Sequence, residues 1–226
     1  MAAVTLVGAT GLVGSHILST LKRSSTVDKI WTFTRKEMPV DPKVIPITAK
    51  DGTEWTKQYP AGSEIFFSAL GTTRAAAGGF EKQKKIDYDL NLQLAKAARA
   101  AGTKIYVLIS SSGASTSSRF GYPQMKGELE EAVKAIDFEH VVILRPGLIV
   151  GSRDESRAAE FVLRKIASAA GCISNKLKDF WAQDAEIIAR AAVSAGLACL
   201  NGQEKDKVKI VDQSEIVKLG RTDWKA

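Results

Sequence analysis

Short apolar runs alternate along this chain with longer stretches of helical periodicity. The runs at residues 4–7, 29–34, 44–48, 64–70, 104–110, 140–144 and 207–211 read as strands. Each is short, rich in β-branched residues and bounded by turn formers. Apolar positions three and four apart predict helices over residues 12–22, 81–101, 123–135, 156–169 and 185–200. In the second of these, Ile86, Leu90, Leu94 and Ala97 form the stripe expected to face a core. Residues 71–79, rich in Ala and Gly, predict a loop.

Strands alternating with helices are the pattern of βαβ units, so the fold class is α/β, a doubly wound parallel sheet with helices on both faces. Pro46 offers a check, because a residue without an amide donor is largely confined to edge strands. In the strand order 3-2-1-4-5-6 the third strand is an edge. From Gly147 onward the alternation weakens. Residues 1–226 are expected to form a single domain, to which 147–206 contribute a small C-terminal substrate-side lobe.

Composition narrows the function classes. An apolar share of 45% and a charged share of 25% are those of an ordinary globular protein, and 226 residues suffice for one large core. Two cysteines, Cys172 and Cys199, make neither a disulfide framework nor a zinc ligand set. No apolar run approaches the roughly 20 residues that span a bilayer. The first strand begins at Val4, so a cleavable N-terminal presequence is not expected. The net charge of +7 is scattered. Its densest run, at 81–85, reads as a solvated helix face, and no aromatic-rich basic patch points to nucleic acid.

The segment Gly8-Ala9-Thr10-Gly11-Leu12-Val13-Gly14 follows a strand and opens a helix. Gly8 permits a tight turn, Gly11 lets the backbone approach a pyrophosphate, and Gly14 allows close helix–strand packing. The free amides at the helix start, from Thr10 through Val13, would attract phosphates. An ordinary β–α turn with three glycines is the competing reading. The second strand then ends in Arg35 and Lys36, where NAD-binding domains usually carry an acidic residue for the ribose hydroxyl. A guanidinium suits a 2′-phosphate, so the expected cofactor is NADP(H). Glu37 would weaken this if the strand ran two residues further, and both cations could instead solubilise a turn.

The fifth strand ends in Ser110-Ser111-Ser112, and Tyr122 and Lys126 follow at a spacing of four. Hydride transfer to a carbonyl needs an acid for the developing alkoxide. A tyrosine, with its ordinary pKa of about 10, needs a nearby cation to act near neutrality. Lys126, one helical turn on, can supply that cation and also hold the nicotinamide ribose. A serine at the strand end can orient the carbonyl. A snorkelling lysine on an amphipathic helix is the bland alternative. Pro123 can also open the helix and leave Tyr122 just outside it. Arg145 reads as structural, a partner for a buried carboxylate, whereas Arg74 reads either as an anion ligand or as a surface residue fixing its loop.

Glycines spaced by three, a serine pair and Tyr-x-x-x-Lys together resemble the extended and atypical short-chain dehydrogenases/reductases. More narrowly, Ser68-Ala69-Leu70-Gly71-Thr72-Thr73-Arg74-Ala75-Ala76-Ala77-Gly78 is similar to the Tat-interacting protein oxidoreductase family and its fungal mitochondria-associated branch. Ser110–Ala114, Lys126–Glu130, Leu144–Leu148 and Glu155–Arg157 extend the likeness.

The resemblance implies a Rossmann domain holding NADP(H), with Ser111, Tyr122 and Lys126 as the catalytic set. It implies Leu70 and Gly71 beside the adenosine ribose or pyrophosphate, and Pro146, Gly147 and Leu148 beside the nicotinamide. A fourth catalytic group on the 81–101 helix would be Asp87, Asp89 or Asn91. It also implies peripheral attachment to the cytosolic face of the mitochondrial outer membrane; a cytoplasmic location is the alternative. Two functions compete. One is an NADPH-dependent reductase of a small aldehyde or ketone. The other is an NADPH-binding, redox-sensing regulator that acts through protein partners with little turnover.

Overall fold

The computed structural model describes residues 1–150 and 182–224. All seven expected strands form, within two residues of the expected bounds: β1 (Ala2–Val7), β2 (Val27–Thr34), β3 (Val44–Thr48), β4 (Ile65–Ser68), β5 (Ile105–Ile109), β6 (His140–Leu144) and, last in the chain, β9 (Val208–Val211). They make one parallel sheet in the order β3-β2-β1-β4-β5-β6-β9. Pro46 lies on the edge strand β3, opposite Thr32. A second, two-stranded sheet pairs β7 (Leu148–Val150) with β8 (Ala182–Asp184) and was not anticipated.

Alternation within each strand explains why the sheet is coated twice. Val4, Leu6, Ile65, Phe67, Ile105, Val107, Val142 and Leu144 pack against α1 (Leu12–Arg23) and the alanine-rich helix Ala185–Leu200. Their neighbours Val7, Phe66, Tyr106, Leu108, Val141 and Ile143 face the other way. They pack on the helices Asn91–Ala100 and Gly121–Lys134 and on Trp55 of the turn Gly52–Gln58. On that side a file of rings crosses the sheet, Trp55–Phe33–Tyr59–Phe66–Tyr106–Phe138, with successive centroids 5.3–5.8 Å apart.

Among the described residues the helices, numbered along the chain, are α1, α2 (Arg74–Ala77), α3 (Phe80–Lys84), α4 (Asn91–Ala100), α5 (Gly121–Lys134), α6 (Ala185–Leu200) and α7 (Gln213–Val217). Four differences from the sequence reading matter. The loop expected over 71–79 contains the helical turn α2, capped by Thr73, whose hydroxyl accepts from the Ala76 amide. The helix expected over 81–101 is interrupted by a wide turn at Lys85–Leu90 with π-helical bonding. Tyr122 lies inside α5, not before it. The helix opens at Gly121, so Pro123 falls in its first turn, where an amide has no partner to lose. Finally, α6 belongs to the main core and not to a lobe: it packs on α1, and Gly196 sits close enough to Phe67 that an added Cβ would lie 3.0 Å from the ring. The helix expected over 156–169 and the stretch Glu155–Arg157 lie outside the described residues.

Candidate active site

In a parallel sheet every strand ends on the same edge, so the predicted site residues converge there by topology. The sheet changes winding direction between β1 and β4, the place where open α/β sheets form a ligand crevice. Gly8 leaves β1 with φ of 84°, and an added Cβ would lie 2.4 Å from the Ala69 carbonyl oxygen. At Gly14 the corresponding Cβ would lie 2.0 Å from the Gly8 carbonyl oxygen. The Gly11 amide donates to that same oxygen at 2.8 Å, and Gly11 begins α1 with no side-chain cap. The first amides of α1 are therefore open to an anion. Val13 is buried, so only its backbone can serve a ligand, while Thr10 is exposed at the rim. Leu70 and Gly71 follow Ala69 and so line the crevice from the β4 side. This cradle fits the pyrophosphate of a dinucleotide.

At the end of β2 the Thr34 hydroxyl accepts from the Lys36 amide (3.2 Å) and donates to the Lys36 carbonyl (2.7 Å). That knot fixes Arg35 and Lys36 immediately after the strand, and pairing of Val7 with Phe33 sets them beside the glycine turn. Both are exposed, and no carboxylate of the described residues pairs with either.

The three serines of the β5 end separate cleanly. Ser110 is buried and donates to Glu130 at 2.5 Å, so its hydroxyl is committed. Ser112 is exposed, and its amide donates to the Pro146 carbonyl at 2.7 Å. Ser111 is half-buried, its hydroxyl donates to the Ser112 carbonyl at 3.3 Å, and it is the serine that acts on the Tyr122 phenol, lowering its pKa. Pro146 thus sits against the serine loop, while the Gly147 amide donates to the buried Gln183 at 3.1 Å and Leu148 is exposed at the start of β7.

Lys126 departs from the simple expectation. Its ammonium is buried and donates to the Ile109 carbonyl at 3.2 Å. Burial lowers its pKa, against the opposing pull of Asp87 and Glu130. Tyr122 is not activated in this state: burial, then the Asp87 charge, raise its pKa, against a lowering contribution from Ser111. The lysine is held by the Ile109 carbonyl and feels the charges of two buried carboxylates, Asp87 and Glu130.

Asp87 and Asn91 occupy the buried face that the wide turn creates. Asn91 donates to the carbonyls of Leu70 (3.2 Å) and Asp87 (3.0 Å) and accepts from Ser68. Asp87 accepts from the Thr72 amide at 2.8 Å. Of the three candidates for a fourth polar group, Asp89 is exposed and Asp87 carries its charge toward Tyr122 and Lys126. Glu130 was missed by sequence reading. It is buried and held bidentately by Arg145, with Nη2 to Oε2 at 2.5 Å. Its spacing of four from Lys126 was the available signal.

Burial pushes the Asp87 carboxyl up to about 6, with Lys126 and the Thr72 amide opposing. A carboxyl whose folded pKa exceeds its unfolded 3.8 favours folding fully below that value, and the benefit is lost as pH rises through about 6. Relative to Asp87→Asn, the wild type is therefore expected to lose up to about 3 kcal/mol of stability between pH 4 and pH 7. Parallel denaturation curves at the two pH values measure this, and a pH-independent difference would rule it out.

Comparison with known proteins extends the picture. MoeE5, solved with UDP-glucose and NAD, superposes with a TM-score of 0.70 at 16% identity, over 96% of this chain and 80% of that one. A short chain dehydrogenase family protein of Francisella tularensis gives 0.67 at 14% identity, over 95% and 98%. At such identities the likeness is one of fold. Sequence relatives are much nearer. "Protein fmp52, mitochondrial" of Aspergillus clavatus is 53% identical over 97% of this chain and 99% of its own length. The Neurospora crassa "Protein fmp-52, mitochondrial" is 43% identical over 97% and 96%. A family profile described as HIM1 matches residues 44–177. The chain therefore belongs to the HIM1 family, in the company of the fungal proteins named Fmp52.

Proposed function

We propose that the protein is an NADP(H)-dependent oxidoreductase of the short-chain dehydrogenase/reductase type, acting on a small aldehyde or ketone. The observation that carries this reading is the placement of Tyr122 and buried Lys126 one turn apart on α5, with the Lys126 ammonium bonded at the end of β5 where the serines follow, on the sheet edge that also bears the glycine cradle. Bound NADP(H) would supply the hydride to the carbonyl carbon. The Ser111 hydroxyl orients the carbonyl oxygen, and the Tyr122 phenol gives that oxygen its proton. Lys126 contributes a positive field that offsets Asp87, and it would have to turn outward from the Ile109 carbonyl to bond the nicotinamide ribose. Gly8, Thr10, Gly11, Leu12, Val13 and Gly14 would hold the pyrophosphate, and Leu70 and Gly71 the adenosine side. Pro146, Gly147 and Leu148 would border the nicotinamide.

Arg35 and Lys36, which pair with no carboxylate among the described residues at the end of β2, support NADP(H) over NAD(H). Arg35→Ala is expected to weaken NADPH binding by about 10–100-fold, the worth of a charge-assisted hydrogen bond, and to leave NADH binding unchanged. Fluorescence titration with both nucleotides measures it; equal affinity of the wild type for NADH and NADPH would overturn the assignment. A panel of aldehydes and ketones with NADPH tests the reaction itself. Tight binding without turnover would move the conclusion to a redox-sensing regulator working through partner proteins. The raised pKa of Tyr122 and the inward-turned Lys126 favour that second reading. For location, the relatives named mitochondrial support the mitochondrion; peripheral attachment to the cytosolic face of the outer membrane is the finer proposal and rests on the family resemblance.

A further inference from the structure

A cavity of about 580 Å³ opens beside Tyr122, lined by Thr72, Thr73, Arg74, Phe80, Gln83 and Gly121. Its polar wall is built, not incidental. The buried Gln83 donates to the Thr72 carbonyl at 2.9 Å, and Thr73 caps α2, so the chain that carries Arg74 is fixed from both sides. Gly78, in left-handed geometry with φ of 75°, closes α2, and the Gly79 amide donates to the Arg74 carbonyl at 3.0 Å. The opposite wall is apolar. The Phe80 ring lies so close over Gly121 that an added Cβ would stand 2.9 Å from it.

Arg74 is the cation of this cavity, exposed and without a carboxylate partner among the described residues. Of the nearby carboxylates, Glu81 on α3 is exposed and makes no ion pair with Arg74, and Asp87 in the wide turn is buried and engaged by the Thr72 amide. The cavity thus holds a guanidinium fork, a phenol and an apolar surface, with no carboxylate among its lining residues. A guanidinium takes carboxylate or phosphate through two parallel hydrogen bonds, and does so better beside a low-dielectric wall. We infer that the carbonyl substrate carries an anionic group, held by Arg74 while Tyr122 meets the carbonyl oxygen and Phe80 covers the apolar body between them. This rests on the reductase reading of the same site. A phosphate of the cofactor is the other source of such an anion, and the test separates the two.

The full-length protein, with and without NADPH, is titrated with para-(hydroxymethyl)benzoate and with para-methylbenzyl alcohol, which differ in the anion and cannot be reduced. Turnover of the corresponding para-carboxy and para-methyl benzaldehydes is measured alongside. Wild type is expected to bind the carboxylate at least about tenfold more tightly than the methyl compound. Arg74→Gln is expected to abolish that preference and keep its NADPH affinity. Absence of any preference in the wild type overturns the inference, as does a preference that survives in Arg74→Gln. Loss of NADPH affinity in the variant, with no change in preference, would assign the anion to the cofactor and overturn it too. Preference without turnover of either aldehyde would leave the anion site standing and sink the reductase reading. Equal turnover of both, without preference, would do the reverse.

Discussion

Tyr122→Phe is expected to lower carbonyl-dependent NADPH oxidation by about 10²–10⁴-fold, the usual worth of a positioned general acid. NADPH affinity and thermal stability are expected to stay near wild type. The substitution removes one oxygen from a ring that is 41% exposed, and the helix that carries it begins one residue earlier, with no side-chain cap to which the phenol contributes. The pH profile sharpens the test. Burial and the Asp87 charge hold the phenol protonated above its ordinary range, so the rate of reduction should stay level through neutrality and fall only in alkali. A site in which Lys126 had turned outward to the phenol would show that fall at lower pH. Undiminished turnover in Tyr122→Phe would remove the tyrosine from the chemistry altogether.

Glu130→Ala is expected to cost between about 3 and 5 kcal/mol, as for other buried pairs that lose one partner. The carboxylate side chain is 1% exposed, accepts from Ser110, and takes both forks of Arg145. Removing it strands a buried serine hydroxyl, adding about 1–3 kcal/mol, whereas Arg145, at 32% exposed, recovers part of its loss from water. For a chain of 226 residues this corresponds to a fall in Tm of roughly 6–20 °C. Glu130→Gln should fall between, since it keeps the volume and an acceptor. Calorimetry distinguishes them, and a Glu130→Ala protein that melts like wild type would show the pair to be dispensable.

The sheet was legible because each strand carries apolar residues toward two different helix layers, which yields unbroken apolar runs, and because Pro46 marks the edge. The glycine cradle was legible for a related reason, since Gly8 and Gly14 stand where a backbone oxygen leaves no room for a Cβ. The helix after β4 was harder. Its expected stripe of Ile86, Leu90, Leu94 and Ala97 is displaced by the wide turn, and the buried face runs through Asp87, Asn91, Leu94, Ala95 and Ala98. Two polar residues on a buried face defeat a reading based on apolar periodicity. The choice among Ser110, Ser111 and Ser112 also lay beyond the sequence, because it turns on which hydroxyl Glu130 captures. The lobe expected over 147–206 took in α6 because an alanine-rich helix carries little amphipathic contrast. Its small side chains are what bring it close to the sheet.

The file of rings has a consequence for the strand ends around the glycine turn. Phe33 comes from β2, Phe66 from β4 and Tyr106 from β5, so the file bridges β1 from both flanks. Each ring pair adds about 0.5–1.5 kcal/mol beyond its buried area. Detaching β2 alone would break contacts that lead across the sheet, which ties the strand ends around the glycine turn into one rigid rim. On the proposed reading, a dinucleotide would meet an adenosine seat that is already assembled, and little of its binding free energy would go into ordering the protein there.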